Sequence, residues 1–229
     1  MKAMAVTTFP ADPTLDEVRA VMAPIVARNA AFDGWGRAAV EASLDMAASQ
    51  FAIAPNVARL AFDGGAVAMI DAWFSRVDAE MLTRCPPERL ASMKVRERIT
   101  ALIEARLDVL ARDKEALRRA LSVLAMPQNL PRAARLGWRA TDVIWRAAGD
   151  TAADFNHYTK RSLLGSIYSA TLLVFLDDES EGHADTRAFL GRRIGDIMRV
   201  EKAKARLSGR AERRPSLARF VGRLRYHAR

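Results

Sequence analysis

Leu163, Leu164, Ile167, Tyr168, Thr171, Leu172, Val174 and Phe175 recur at intervals of three and four residues, the spacing that lines one face of an α-helix. The same spacing returns along the chain. Leu15, Val18, Val21, Met22, Ile25 and Val26 predict a first helix over 14–31, with Pro24 as a kink or a late start. Ala39, Val40, Ser43, Leu44 and Ala47 predict a second around 37–48. Ala54-Pro55 opens a third at 56–62, and Gly64-Gly65 precedes a fourth through Val67, Ile70, Trp73, Phe74 and Val77. Pro86-Pro87 starts a long helix that carries Ile99, Leu102, Ile103, Leu107 and Leu110 to about 111, and Leu117, Leu121 and Leu124 continue its stripe after a small break.

After Pro127 and Pro131, a helix at 132–148 carries Leu136, Ala140, Val143, Ile144 and Ala147 on one stripe and Trp138 with Trp145 on another. A helix apolar on two sides is sandwiched between others. The helix of Leu163 to Phe175 spans about 153 to 177. Its other face holds Gly165, Ser166, Ser169 and Ala170, small enough for a second helix to approach closely, within the subunit or across a dimer axis. Phe189, Leu190, Ile194, Ile197 and Met198 extend the pattern over 184–206. Half of the 229 residues are hydrophobic and few are aromatic, while Gly and Pro fall in short clusters. An all-α fold follows.

Three short helices with a tight turn, then a longer one, outline a helix-turn-helix head over residues 1–83. The net charge of +9 is uneven: residues 1–83 hold six Lys/Arg against ten Asp/Glu, residues 84–191 seventeen against fourteen, and residues 192–229 thirteen against three. A head that reads DNA needs cations for the phosphates. Here Arg37, Asn56 and Arg59 face Glu41, Asp45 and Asp63, so the shape is expected without DNA function.

The basicity belongs to the end of the chain. After the linker Gly209–Arg214, Leu217, Phe220, Val221 and Leu224 share one helical face, with Arg219, Arg223 and Arg225 around the rest. Residues 208–229 therefore read as a basic amphipathic helix on a membrane surface, with packing back on the domain and nucleic-acid binding as the alternatives. The first eight residues lack the regions of a signal peptide, and Ile167 to Leu176 is too short for the ~20 apolar residues of a spanning helix, so a soluble or peripheral protein is expected. Cys85 is the only cysteine, which suits a reducing compartment and a packing role.

No residue pattern suggests catalysis or a cofactor. His157, His183 and His227 lie far apart without ligand spacing, and no glycine-rich phosphate loop or GxSxG occurs. The run from Asp177 to Gly182 resembles half a calcium loop, but its twelfth position is Ala188, so it reads as a solvated loop whose Asp185 caps the next helix. Neither metal nor cofactor is expected, and the chain is read as no enzyme.

Ala148-Gly149-Asp150-Thr151, Asp154-Phe155-Asn156, Tyr158-Thr159-Lys160-Arg161 and Leu163-Leu164, continued by Asp185-Thr186, Phe189-Leu190 and Arg192-Arg193-Ile194, resemble the signature of the ninth coenzyme Q biosynthesis protein family. The strong match covers about fifty residues. The resemblance implies a fold like the TetR regulators, a homodimer, and an accessory role in ubiquinone biosynthesis in which an isoprenoid or quinone lipid is presented to a membrane-associated hydroxylase. It implies a location on the cytoplasmic side of a bacterial inner membrane, or the matrix side in mitochondria. It also suggests a partner patch at Asp154, His157, Tyr158 and Arg161; His157 stands where the family commonly has Trp.

Residues 84–207 are then expected to enclose the lipid, with Ile103, Leu107, Trp138, Trp145, Leu164, Ile167, Tyr168, Leu172 and Phe175 as lining. Leu217, Arg219, Phe220, Val221, Arg223 and Leu224 form the membrane face. The alternatives are a ligand-responsive TetR-type repressor and a scaffold without a ligand.

Overall fold

The computed structural model describes residues 9, 10, 12–150, 155–196 and 199, and among them every regular element is helical. The helix α1 spans Leu15–Asp33 and opens on a capping box. The Glu17 amide donates to Thr14 Oγ1 at 3.3 Å and the Thr14 amide donates to Glu17 Oε2 at 2.8 Å. Pro24 sits inside α1 without ending it.

The expected second helix is two: α2, Arg37–Glu41, and α3, Leu44–Phe51. The break falls at Ser43, whose buried hydroxyl donates to the Ala39 carbonyl at 2.6 Å and accepts from Asn29 Nδ2 at 2.9 Å. A serine bonded back to its own preceding turn competes with continuation of the helix. Then come α4, Pro55–Ala61, and α5, Gly65–Arg84.

The long helix expected after Pro86-Pro87 is also divided, into α6, Pro87–Ala91, and α7, Val95–Leu110. Arg98 explains the division. Its guanidinium donates to the carbonyls of Ala91 (3.2 Å), Met93 (2.9 Å) and Ala148 (3.0 Å), satisfying backbone acceptors that helix ends leave open. The remaining elements are α8, Lys114–Leu124, α9, Leu130–Ala147, α10, Phe155–Asp177, and α11 over residues 184–196.

α1 packs on α5, α5 on α7, and α9 on α10. On α10, a Cβ at Gly165 would meet Thr141 Cγ2 of α9 at 3.7 Å, so this glycine faces a helix of the same chain, whereas Ser166 and Ser169 are exposed. Trp35 ties the head to the body: its indole N–H donates to the Ala116 carbonyl of α8 at 3.0 Å, and its ring lies 5.3 Å from Trp73 of α5.

The start of α11 is organised by Asp178 rather than by the expected Asp185. One Asp178 oxygen accepts from the amide and hydroxyl of Ser180, the other from the amide and hydroxyl of Thr186, and the Asp185 amide donates to Ser180 Oγ at 3.1 Å. Burial alone would push the Asp178 carboxyl up. The Ser180 and Thr186 donors outweigh it and hold the carboxyl well below the usual carboxylate range.

Candidate functional site

Apolar side chains expected to line a lipid site gather where α7 and α10 meet. Ile103, Leu107, Leu164, Ile167, Tyr168, Leu172 and Phe175 are all buried and belong to one core. The two tryptophans of α9 lie elsewhere. Trp145 is half-buried, and its indole N–H donates to the Lys160 carbonyl at 3.2 Å while the Lys160 ammonium lies 5.4 Å from its ring. Trp138 is 36% exposed and rests on Tyr158 of α10, ring centroids 5.8 Å apart.

Sequence reasoning missed the charge among these apolar residues. Arg106 of α7 is 1% exposed and forms an ion pair with buried Asp78 of α5. Its Nε donates to Tyr168 Oη at 2.6 Å, and its guanidinium lies 5.7 Å from the Phe74 ring and 5.5 Å from the Tyr168 ring. The signal was present: Ile103, Arg106 and Leu110 stand at i, i+3 and i+7, so Arg106 lies on the apolar stripe itself.

A second ion network closes the junction of α9 and α10. Arg161 donates to Asp142 Oδ1 at 2.7 Å and to Asp150 Oδ2 at 3.3 Å, and Lys160 Nζ donates to Asp150 Oδ1 at 2.8 Å. Burial raises the Asp150 carboxyl, and Lys160 with Arg161 pulls it back below its ordinary value. Of the residues assigned to a partner patch, Tyr158 is 61% exposed and Arg161 is buried in this network. Asp154 and the side chain of His157 lie outside the described residues, as do the six tail residues Leu217, Arg219, Phe220, Val221, Arg223 and Leu224.

In the head, Glu41 accepts from Arg59 Nε and Nη2, both at 2.8 Å, and from Arg37 Nε at 3.4 Å. These contacts, led by the Arg59 hydrogen bonds, lower the Glu41 carboxyl to about 2. Arg59 is thereby paired bidentately with a carboxylate of the same face, and exposed Arg37 pairs with it loosely. Cys85 is buried with its thiol pushed up by burial, consistent with a packing residue. Among the described residues no helix is long and apolar enough to cross a membrane, and no three His, Cys, Asp or Glu side chains are grouped to hold a metal ion.

Comparison with known proteins gives this geometry a context. The COQ9 family model matches residues 130–201, which take in α9 and α10. The chain is 43% identical over 98 residues to the mitochondrial ubiquinone biosynthesis protein COQ9 of Rattus norvegicus, covering 43% of this chain and 31% of that protein. It is 30% identical over 176 residues to the Xenopus tropicalis protein of the same name, covering 70% and 56%. The Drosophila melanogaster protein is 26% identical over 199 residues, covering 85% and 60%. The chain thus spans from under a third to three fifths of the length of these relatives. Among solved structures, a TetR transcriptional regulator from Nitrosomonas europaea aligns over 77% of this chain and 95% of its own, with a TM-score of 0.60 and 27% identity.

Proposed function

The chain is a relative of the COQ9 proteins on a TetR-like framework, and from that premise we propose that it serves ubiquinone biosynthesis as a non-catalytic accessory protein. It binds an isoprenoid or quinone lipid and presents it to a membrane-associated hydroxylase, working as a homodimer on the membrane face that borders the cytoplasm or mitochondrial matrix.

One observation carries the partner side of this reading. Within the motif that matches the family, buried Arg161 and half-exposed Lys160 both bind Asp150, and Tyr158 is left 61% exposed one turn from Arg161. An exposed tyrosine held on a rigid helix is the side-chain type that anchors protein interfaces. The lipid side rests on the apolar residues of α7 and α10, where burial contributes about 25 cal/mol per Å² before the costs of binding. The tail supplies membrane attachment, through Leu217 and Phe220 in the interface.

The direct test is organic extraction of the purified protein and mass spectrometry of the extract. A prenylated quinone or isoprenoid in near-stoichiometric amount is the expected result. Lipid-free protein that takes up nothing from quinone-loaded vesicles overturns the lipid reading. Unchanged binding to anionic vesicles after Leu217→Glu with Phe220→Glu overturns the anchoring role of the tail.

The likeness to a TetR regulator favours a second reading, a ligand-responsive repressor. The Glu41 contacts with Arg37 and Arg59 weigh against it, because a carboxylate of the same face offsets the few cations that would meet phosphate. Saturable, salt-sensitive retention of genomic fragments would restore it.

A further inference from the structure

Arg28, Arg76 and Arg112 come from three elements and line one cleft. Arg28 stands on α1, Arg76 on α5, and Arg112 just after the end of α7. The cleft holds about 320 Å³, and buried Trp73, Val77 and Val109 make its floor. Small-molecule sites begin at about 300 Å³. Helical spacing accounts for the share of α5: Trp73, Arg76, Val77 and Glu80 stand at i, i+3, i+4 and i+7, on one face.

The three guanidiniums are left with few acceptors. Arg76 has neither a carboxylate partner nor a hydrogen bond among the described residues, although Glu80 stands one turn away. Glu80 is held instead by Arg84 at 2.6 Å, and Arg112 reaches the same oxygen only at 3.4 Å. Arg28 Nε donates to the Pro24 carbonyl at 3.3 Å, which leaves its two terminal nitrogens for other acceptors. Half-buried Asp113 shares the cleft. Arg28 and Arg112 act on its carboxyl through space, yet it forms no ion pair among the described residues. With Glu80 committed to Arg84, three arginines stand against one carboxylate. Like charges above an apolar floor focus their field on whatever fills the cleft and favour an anion there. Guanidinium forks match carboxylate and phosphate alike. Forks set on three elements suit an anion with oxygens on several sides, which a phosphate has and a planar carboxylate lacks.

We propose that this cleft binds a phosphate-bearing anion, held by Arg28, Arg76 and Arg112 above Trp73, Val77 and Val109. The site is separate from the lipid-lining residues proposed on α7 and α10, none of which borders it. Arg28 belongs to the head and Arg112 to the body, so a bound phosphate braces the two parts, as the Trp35 bond to Ala116 does. The phosphate is either that of a soluble ester or diphosphate, or that of a lipid headgroup.

The test titrates the full chain by calorimetry, in phosphate-free buffer, with inorganic pyrophosphate and with dihexanoyl phosphatidic acid kept monomeric. Saturable binding of one anion per chain is expected. Binding of pyrophosphate assigns the site to soluble phosphates; binding of the phosphatidic acid alone assigns it to a headgroup. Arg76→Gln with Arg112→Gln is expected to weaken the binding on the order of 10-fold or more. Arg219→Gln with Arg223→Gln, which lowers the charge of the basic tail, is expected to leave it unchanged. Asp113→Asn removes the carboxylate that faces Arg28 and Arg112, and is expected to tighten binding severalfold without removing a cation. Saturable binding of neither probe overturns the site. So does wild-type affinity in the Arg76 and Arg112 variant or in Asp113→Asn, or loss of binding in the tail variant.

Discussion

Arg106 and Asp78 form an ion pair in the apolar centre of the protein, the first 1% and the second 6% exposed, with Tyr168 closing the remaining side of the guanidinium. Removing Arg106 leaves buried Asp78 with only the distant Arg139, Nε 3.9 Å away, whereas removing both members of the pair need not destabilise. Arg106→Leu is therefore expected to lower stability by about 3–5 kcal/mol. The double variant Arg106→Leu with Asp78→Leu should recover most of that loss. Urea denaturation of the three proteins checks this, and a double variant as unstable as the single would show that the pair itself holds the fold.

Asp178 gives the stability of the α10–α11 corner a pH dependence of known sign. Its folded-state pKa lies below that of the unfolded chain, so its contribution is complete above the ordinary carboxylate range and declines as pH falls through it. Hydrogen bonds to a charged group contribute about 1.5–3 kcal/mol each, so Asp178→Asn should weaken the protein by a few kcal/mol near neutrality. The difference between wild type and variant should shrink on acidification below about pH 4. Denaturation curves at neutral and acid pH measure it; a difference that does not vary with pH would assign the effect to packing.

Releasing Arg37 and Arg59 should change how the head meets a polyanion. Glu41→Gln removes the carboxylate that both arginines share. The basic tail gives the chain some attraction to DNA in any case, so the informative quantity is the change in salt dependence. Two freed cations are expected to steepen the slope of log K against log salt by up to about 1.8. Fluorescence anisotropy with a short duplex reads it. An unchanged slope would mean that the head stays away from DNA for reasons of shape.

Tyr158 and Arg161 sit three residues apart and should fail in different ways. Tyr158→Ala removes an exposed ring and is expected to leave stability within about 0.5 kcal/mol while weakening capture of the proposed hydroxylase partner severalfold. Arg161→Ala removes the buried bridge between Asp142 and Asp150, leaving the first to Arg146 and the second to Lys160, and is expected to lower the melting temperature together with capture. Equal capture by wild type and Tyr158→Ala, both fully folded, would remove Tyr158 from the interface.

Much of the fold was legible because helical spacing is local. The stripes of α5, α7 and α9 are written in consecutive turns, and the head was readable from three short stripes and two glycines. The breaks were less legible. Whether Ser43 interrupts a helix depends on Asn29, fourteen residues away, and the gap between α6 and α7 is filled by an Arg98 that also reaches Ala148. The site was legible in part. Periodicity groups Trp138 with Trp145, two turns apart, yet Trp145 packs on Lys160 of α10 while Trp138 rests on Tyr158 and stays 36% exposed. Arg106 stood on an apolar stripe, but its partner Asp78 belongs to another helix, and spacing within one helix carries no information about that.

The paired charges of Asp150, Lys160 and Arg161 tie α10 to the end of α9. Side chains that bind one another record how a scaffold is inherited. The surface beside them answers to whatever it touches and can drift without disturbing the frame. Tyr158, exposed on the outer side of that seam, belongs to the second kind. A substitution on that outer side can therefore alter what the surface meets while the seam between α9 and α10 keeps its form.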